Sequence, residues 1–171
     1  MKKASIYKII LTAAALLPAV AACGIYSFSG TSIQPDVKTV EIDYFEYKAL
    51  KVNPNLSNSA TEALKEKFRK LPRLEQVDED GDLKLHCEIT GYDVAATAIT
   101  ANETAAQNRL TVTIKCDFEN VKYPEDNLSK SFSAYADFDA TELLDSVQDS
   151  LCEEILEKII EDIFNATVAQ W

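Results

Sequence analysis

Along residues 37–45 apolar and polar side chains alternate, with Val40, Ile42 and Tyr44 on one side and Thr39, Glu41 and Asp43 on the other. This period of two predicts a half-buried strand. After Asn53-Pro54-Asn55 the period changes, and Leu56, Ala60, Leu64, Phe68 and Leu71 recur at helical intervals. Ser59-Ala60-Thr61-Glu62 has capping-box spacing and Pro72 stops the pattern, so a helix is expected to run to about Leu71. A short strand over 74–77 then leads into Asp78-Glu79-Asp80-Gly81. These acids supply the oxygens of a calcium loop but lack its remaining spaced ligands and its terminal glutamate, so a solvated hairpin turn is the expectation.

Strict alternation returns in Leu83, Leu85, Cys87 and Ile89, again in Leu110, Val112, Ile114, Cys116 and Phe118, and a third time in Phe132, Ala134, Ala136 and Phe138. Each set has one wet face, as in an antiparallel meander. The joining stretches, about 91–108 and 119–130, are long for hairpin loops. From Thr141 the chain reads as helix almost to its end, with Leu144, Val147, Leu151, Ile155, Ile159 and Ile163 in one stripe, widened by Leu143, Leu156, Ile160 and Phe164. A helix of this length and amphipathicity lies across a sheet. The predicted class is α+β, with two helices on one face of a mostly antiparallel sheet.

The first 22 residues follow another logic. Lys2, Lys3 and Lys8 precede an apolar run over 9–22 that ends in Val20-Ala21-Ala22-Cys23. This is the pattern of a bacterial secretory signal peptide closed by a lipobox, in which small residues admit the lipoprotein signal peptidase and Cys23 carries the lipid. Two or three acyl chains give stable anchoring. The expected organisation is a signal peptide over 1–22, a lipidated N-terminus and tether over 23–36, and a single periplasmic domain over 37–171. Removing the three N-terminal lysines leaves 14 basic against 28 acidic residues, a formal charge of −14. Such a surface disfavours nucleic acid and weakens attraction to anionic lipid, so membrane attachment falls to the lipid.

Candidate chemistry is sparse. Cys87 and Cys116 lie in phase with apolar strand faces and Cys152 lies on the helical stripe. Three small buried hydrophobes is the favoured reading, with a Cys87–Cys116 bridge as the alternative. The one histidine, His86, sits on the polar side of its strand with no partner that spacing would assign. There is no Gly-rich phosphate loop, no Cys-x-x-Cys and no helical His pair for zinc, so neither catalysis nor a cofactor is expected. Carboxylate pairs such as Glu153-Glu154 and Glu161-Asp162 read as the solvated face of a helix.

Cys23-Gly24-Ile25-Tyr26-Ser27-Phe28-Ser29-Gly30, the strand at 37–45, Ile89-Thr90-Gly91-Tyr92, Glu103-Thr104-Ala105-Ala106-Gln107-Asn108-Arg109-Leu110, Ser131-Phe132-Ser133-Ala134-Tyr135 and Asp162-Ile163-Phe164-Asn165 resemble the LptE family of outer-membrane lipoproteins, in a form like that of Bacteroidetes. The resemblance spans essentially the whole chain after Cys23. It implies two helices against a mixed sheet, no catalysis, and a plug inside the β-barrel LptD that helps the barrel assemble and assists placement of lipopolysaccharide. The family's basic contact residues do not match position by position. The proposed meander itself would gather Lys84, Lys115, Lys122 and Lys130 at one end, where ammonium groups pair with lipid A phosphates. The plain alternative is ordinary surface lysines. The rival function is a lipid-anchored scaffolding or binding module of another envelope complex.

Overall fold

The structure, a computed structural model, describes residues 33–97 and 106–169. The expected signal peptide, Cys23 and most of the expected tether lie outside them.

Six strands, β1 (Thr39–Ile42), β2 (Glu46–Tyr47), β3 (Glu75–Val77), β4 (Leu83–Ala96), β5 (Gln107–Asn120) and β6 (Leu128–Asp139), form one sheet. Its order is β3-β1-β4-β5-β6, with β2 also paired to β4. The long β4–β5 and β5–β6 ladders are antiparallel, whereas the short pairings of β1 with β3 and β4, and of β2 with β4, are parallel. Helices α1 (Leu56–Arg69) and α2 (Leu144–Thr167) pack on one face. The class is α+β, as the periodicity predicts.

The core joins the two repeat lengths. Leu56, Ala60, Leu64 and Phe68 of α1 and Ile155, Ile159 and Ile163 of α2 are buried with Leu85, Ile89, Leu110, Val112 and Ile114 of the sheet. Phe68 meets Phe164 edge to face, with ring centroids 5.5 Å apart, which fastens the helices to each other.

Four expectations are corrected. The strand predicted over 37–45 breaks after Ile42, because the steps from Ile42 to Glu46 cover four residues while β4 advances only three, from Leu85 to Glu88. The extra residue inverts which side chains face the core. Phe45 is therefore fully buried and Tyr44 is exposed. The Phe45 N–H leaves the ladder and donates to Thr61 Oγ1 on α1 at 3.0 Å.

Helix α1 begins at Leu56, with no capping box at Ser59. Asn53 Oδ1 accepts the Asn55 N–H at 3.1 Å, so the Asn-Pro-Asn loop itself forms the turn into the helix.

The acidic segment 78–81 is no hairpin, because β3 and β4 flank β1 on opposite sides and the chain crosses over it. A Cβ at Gly81 would stand 2.7 Å from the Glu41 N and Cβ atoms, so only glycine permits the crossing. Asp82 then anchors it by accepting the Lys38 N–H at 2.8 Å and donating its own N–H to Thr39 Oγ1 at 2.9 Å.

The joining stretches are also shorter than expected. β4 continues to Ala96 through an irregularity between Ile89 and Gly91, which returns Tyr92 to the core. Gly91 lies against Thr113, where a Cβ would come within 3.1 Å of the Thr113 Cβ. The β5–β6 connection is reduced to a few residues around a 3-10 turn at Pro124–Asp126. Asn120, 2% exposed, organises that connection by accepting the Lys122 and Tyr123 N–H groups on Oδ1 at 3.1 Å each.

Candidate functional site

The helices cover one face of the sheet; the other is a polar surface made by alternate residues of the three long strands. Arg109 pairs bidentately with Asp137, Nε to Oδ1 at 2.7 Å, while its guanidinium lies 3.6 Å from the Tyr135 ring centre. That ion pair holds the Asp137 carboxyl below its ordinary range. Nearer the start of β4, Lys115 pairs with Asp117 at 2.9 Å, and the Ser129 hydroxyl, then Lys115, lower the pKa of Asp117.

The four lysines assigned to one cluster do not form one. Lys84 lies on the open face beside Glu41, 3.5 Å away, and Lys115 lies opposite Glu88, four residues along β5 from Glu119, the partner of Lys84. Lys122, beyond β5, pairs with Asp82 at 2.9 Å. Lys130 has the parity of Phe132, on the helix-bearing side, and its ammonium lies 5.2 Å from that ring. The reason is strand parity: Lys130 pairs with Cys116, a core-facing residue, so it points away from Lys115.

The favoured reading of the cysteines is also overturned. Cys87 and Cys116 face each other in the β4–β5 ladder and are joined by a disulfide, with Cα atoms 4.1 Å apart. Cys152 alone is the buried free cysteine expected among the described residues, and burial raises its thiol pKa, keeping it neutral. It accepts a hydrogen bond from Asn53 Nδ2 at 3.6 Å. His86, read as partnerless, stands among carboxylates that distant segments bring to it, with Nδ1 3.2 Å from Asp43 Oδ2.

Between the helices runs an open groove of about 860 Å³, with Leu56, Ala63, Leu156 and Ile160 on its floor and Lys67, Glu161 and other charges on its rim. Lys67 bridges it to Glu161. No buried side-chain nitrogen or oxygen among the described residues lacks a partner. No described helix is long and apolar enough to cross a membrane.

A family model described as LptE, lipopolysaccharide-assembly, matches residues 37–167. The chain belongs to the LptE family. The family is one of outer-membrane lipoproteins of lipopolysaccharide assembly. No curated protein matches it. Among solved structures, a hypothetical protein from Chlamydia trachomatis superposes with a TM-score of 0.51 at 10% identity, covering 76% of this chain and 97% of its own. At that identity the likeness is one of fold. A minor lipoprotein from Acinetobacter baumannii (TM-score 0.48, 9% identity, 74% and 89% covered) and the rare lipoprotein B from Shewanella oneidensis (0.44, 10%, 75% and 90%) are more distant in shape. What this LptE-family chain offers is a polar sheet face, a charged helical groove and exposed aliphatic loops, surfaces suited to contact.

Proposed function

We propose that this LptE-family chain is exported, lipidated on Cys23 and held at the outer membrane, where it plugs an LptD-like β-barrel, helps it assemble and assists delivery of lipopolysaccharide to the outer leaflet. The observation that carries this reading is the family match over 37–167. Three of the exposed aliphatic side chains support it. Leu50 and Val52 follow β2 and are 102% and 79% exposed, and Leu143, 78% exposed, follows β6. By the register of both strands against the β4–β5 ladder, these three lie toward the end where β4 passes into β5. That end is opposite to where Gln34 and Asp36 enter the fold beside Asp126 and Tyr123. Aliphatic side chains in water favour a partner's surface.

Lipopolysaccharide contact, within the same reading, falls to Lys84, Lys115 and Lys122, each exchanging a carboxylate for a phosphate. Lys130, on the other side of the sheet, is left out.

Photo-crosslinkers at Leu50, Val52 and Leu143 in living cells test the plug, and crosslinkers at Lys84, Lys115 and Lys122 test the lipid contact. The expected products are a barrel protein from the first set and lipopolysaccharide from the second. The barrel complex should survive high salt in detergent, since a permanent interface rests on apolar area rather than screened charge. Capture of some other envelope protein and no barrel would replace the plug by a scaffolding role in another complex.

A further inference from the structure

β2 and β4 set two carboxylates opposite each other, Glu46 against Glu88, an arrangement in which like charges repel. His86, two residues before Glu88 on the same face, carries Nε2 to 3.6 Å from Glu88 Oε1 and 4.0 Å from Glu46 Oε1. Its other nitrogen, Nδ1, lies 3.2 Å from Asp43 Oδ2. With the Nδ1–H donated to Asp43, the lone pair of Nε2 faces the two carboxylates. Three acceptors then converge, and only a cation satisfies them together.

Lys48 meets part of that need, bonding Glu88 and lying 3.0 Å from Glu46 Oε2. It supplies one positive charge against Asp43, Glu46 and Glu88. The neighbouring Lys115 and Asp117 neutralise each other. Two of the three carboxylate charges around the imidazole remain without a cation.

We propose that Glu46, Glu88 and Nε2 of His86 form a binding site for a divalent transition-metal ion of the zinc type, with Asp43 as the residue that positions the imidazole. The ligand atoms lie within 4.8 Å of one another. Neighbouring ligands of a tetrahedral ion with bonds near 2.0–2.1 Å stand about 3.4 Å apart. Small rotations of side chains that water already reaches close the difference. A nitrogen ligand with two carboxylates suits zinc better than calcium or magnesium, which take oxygen. A carboxylate on the far nitrogen of a ligating histidine fixes its tautomer and raises its basicity. The ion would join β2 to β4 just after the break that inverts the strand, with its fourth position open to water. Lys48 is its competitor.

The test uses the full-length lipoprotein in detergent, without a histidine tag, stripped by chelator and titrated with zinc chloride by calorimetry. His86 is the only histidine in the chain, so its imidazole resonances report on the site alone. The expected result is one ion per chain, a shift of the His86 signals in step with the heat, and a melting temperature that rises with zinc. His86→Ala and Glu88→Gln should each weaken binding at least tenfold. Asp43→Asn should weaken it about 10- to 100-fold and alter the tautomer signature of the imidazole. Lys48→Met, which removes the competing ammonium, should tighten it several-fold. Absence of binding in the parent protein, unchanged binding in His86→Ala, or weaker binding in Lys48→Met would overturn the proposal. None of these outcomes bears on the barrel, because the measurement is made on the isolated protein.

Discussion

Asp82 shows how much of this fold one carboxylate secures. It closes the crossing over β1 through the N–H groups of Lys38 and Thr39, at 2.8 and 3.3 Å, and through Lys122 at 2.9 Å. Partial burial works to raise its pKa, but the Lys38 N–H, the Lys122 ammonium and the Thr39 N–H outweigh it and hold the carboxyl below its usual range. The unfolded chain, whose Asp82 titrates near the ordinary value of about 3.9, therefore takes up the proton first as pH falls. The stabilisation is complete above that value and disappears as pH drops through the depressed one. Asp82→Asn should lower stability by about 1–3 kcal/mol at neutral pH, since charged hydrogen bonds are lost. Denaturant melts should show the gap between mutant and parent closing below about pH 4. A gap that stays constant with pH would mean that the amide, rather than the lost charge, causes the damage.

At the scale of elements, α2 does most to close the core. Its mean environment changes along its length: Leu144 and Val147 are half-buried, whereas Ile155, Ile159 and Ile163 are sealed between α1 and the sheet. Ile155→Ala should cost roughly 2–5 kcal/mol, and Leu151→Ala, at 8% exposure nearer the rim, should fall toward the lower end of that range. Negligible losses in chemical denaturation would show that the stripe faces somewhere other than this core. Beneath α2, the Cys87–Cys116 bridge ties β4 to β5 across a sequence separation of 29. The ladder would hold its register without it, because a slip by one residue would turn Leu85, Ile89, Val112 and Ile114 toward water.

For the whole molecule, anchoring and folding are separate problems. The folded part is strongly acidic, so attraction to an anionic surface is weak, and the proposed attachment is through a lipid on Cys23. In cells fed a labelled fatty acid, Cys23→Ser should yield an unlabelled precursor that retains residues 1–22. Label that persists at the N-terminus of the mutant would refute the lipobox. The folded domain, which lies beyond the mutated residue, should keep its fold in that precursor.

The sequence alone determined what depends on local period. The polar and apolar alternation of β4, β5 and β6, the stripes of α1 and α2, and the α+β class all follow from which side chains share a face, a property of the chain and not of its neighbours. Those family motifs that fall among the described residues could be read for the same reason, since they lie in its strands and its long helix. Only the tertiary structure decided what depends on pairing. One extra residue between Ile42 and Glu46 reversed the side of Phe45, visible only once both segments lie beside β4. The partner of β3 turned an expected hairpin into a crossing, and the β4–β5 register placed Cys87 opposite Cys116. His86 lacked a partner in the sequence because its carboxylates lie across strand pairs, 40 and 43 residues away at Glu46 and Asp43, and two residues along at Glu88, where strand parity and not helical spacing brings them to one face.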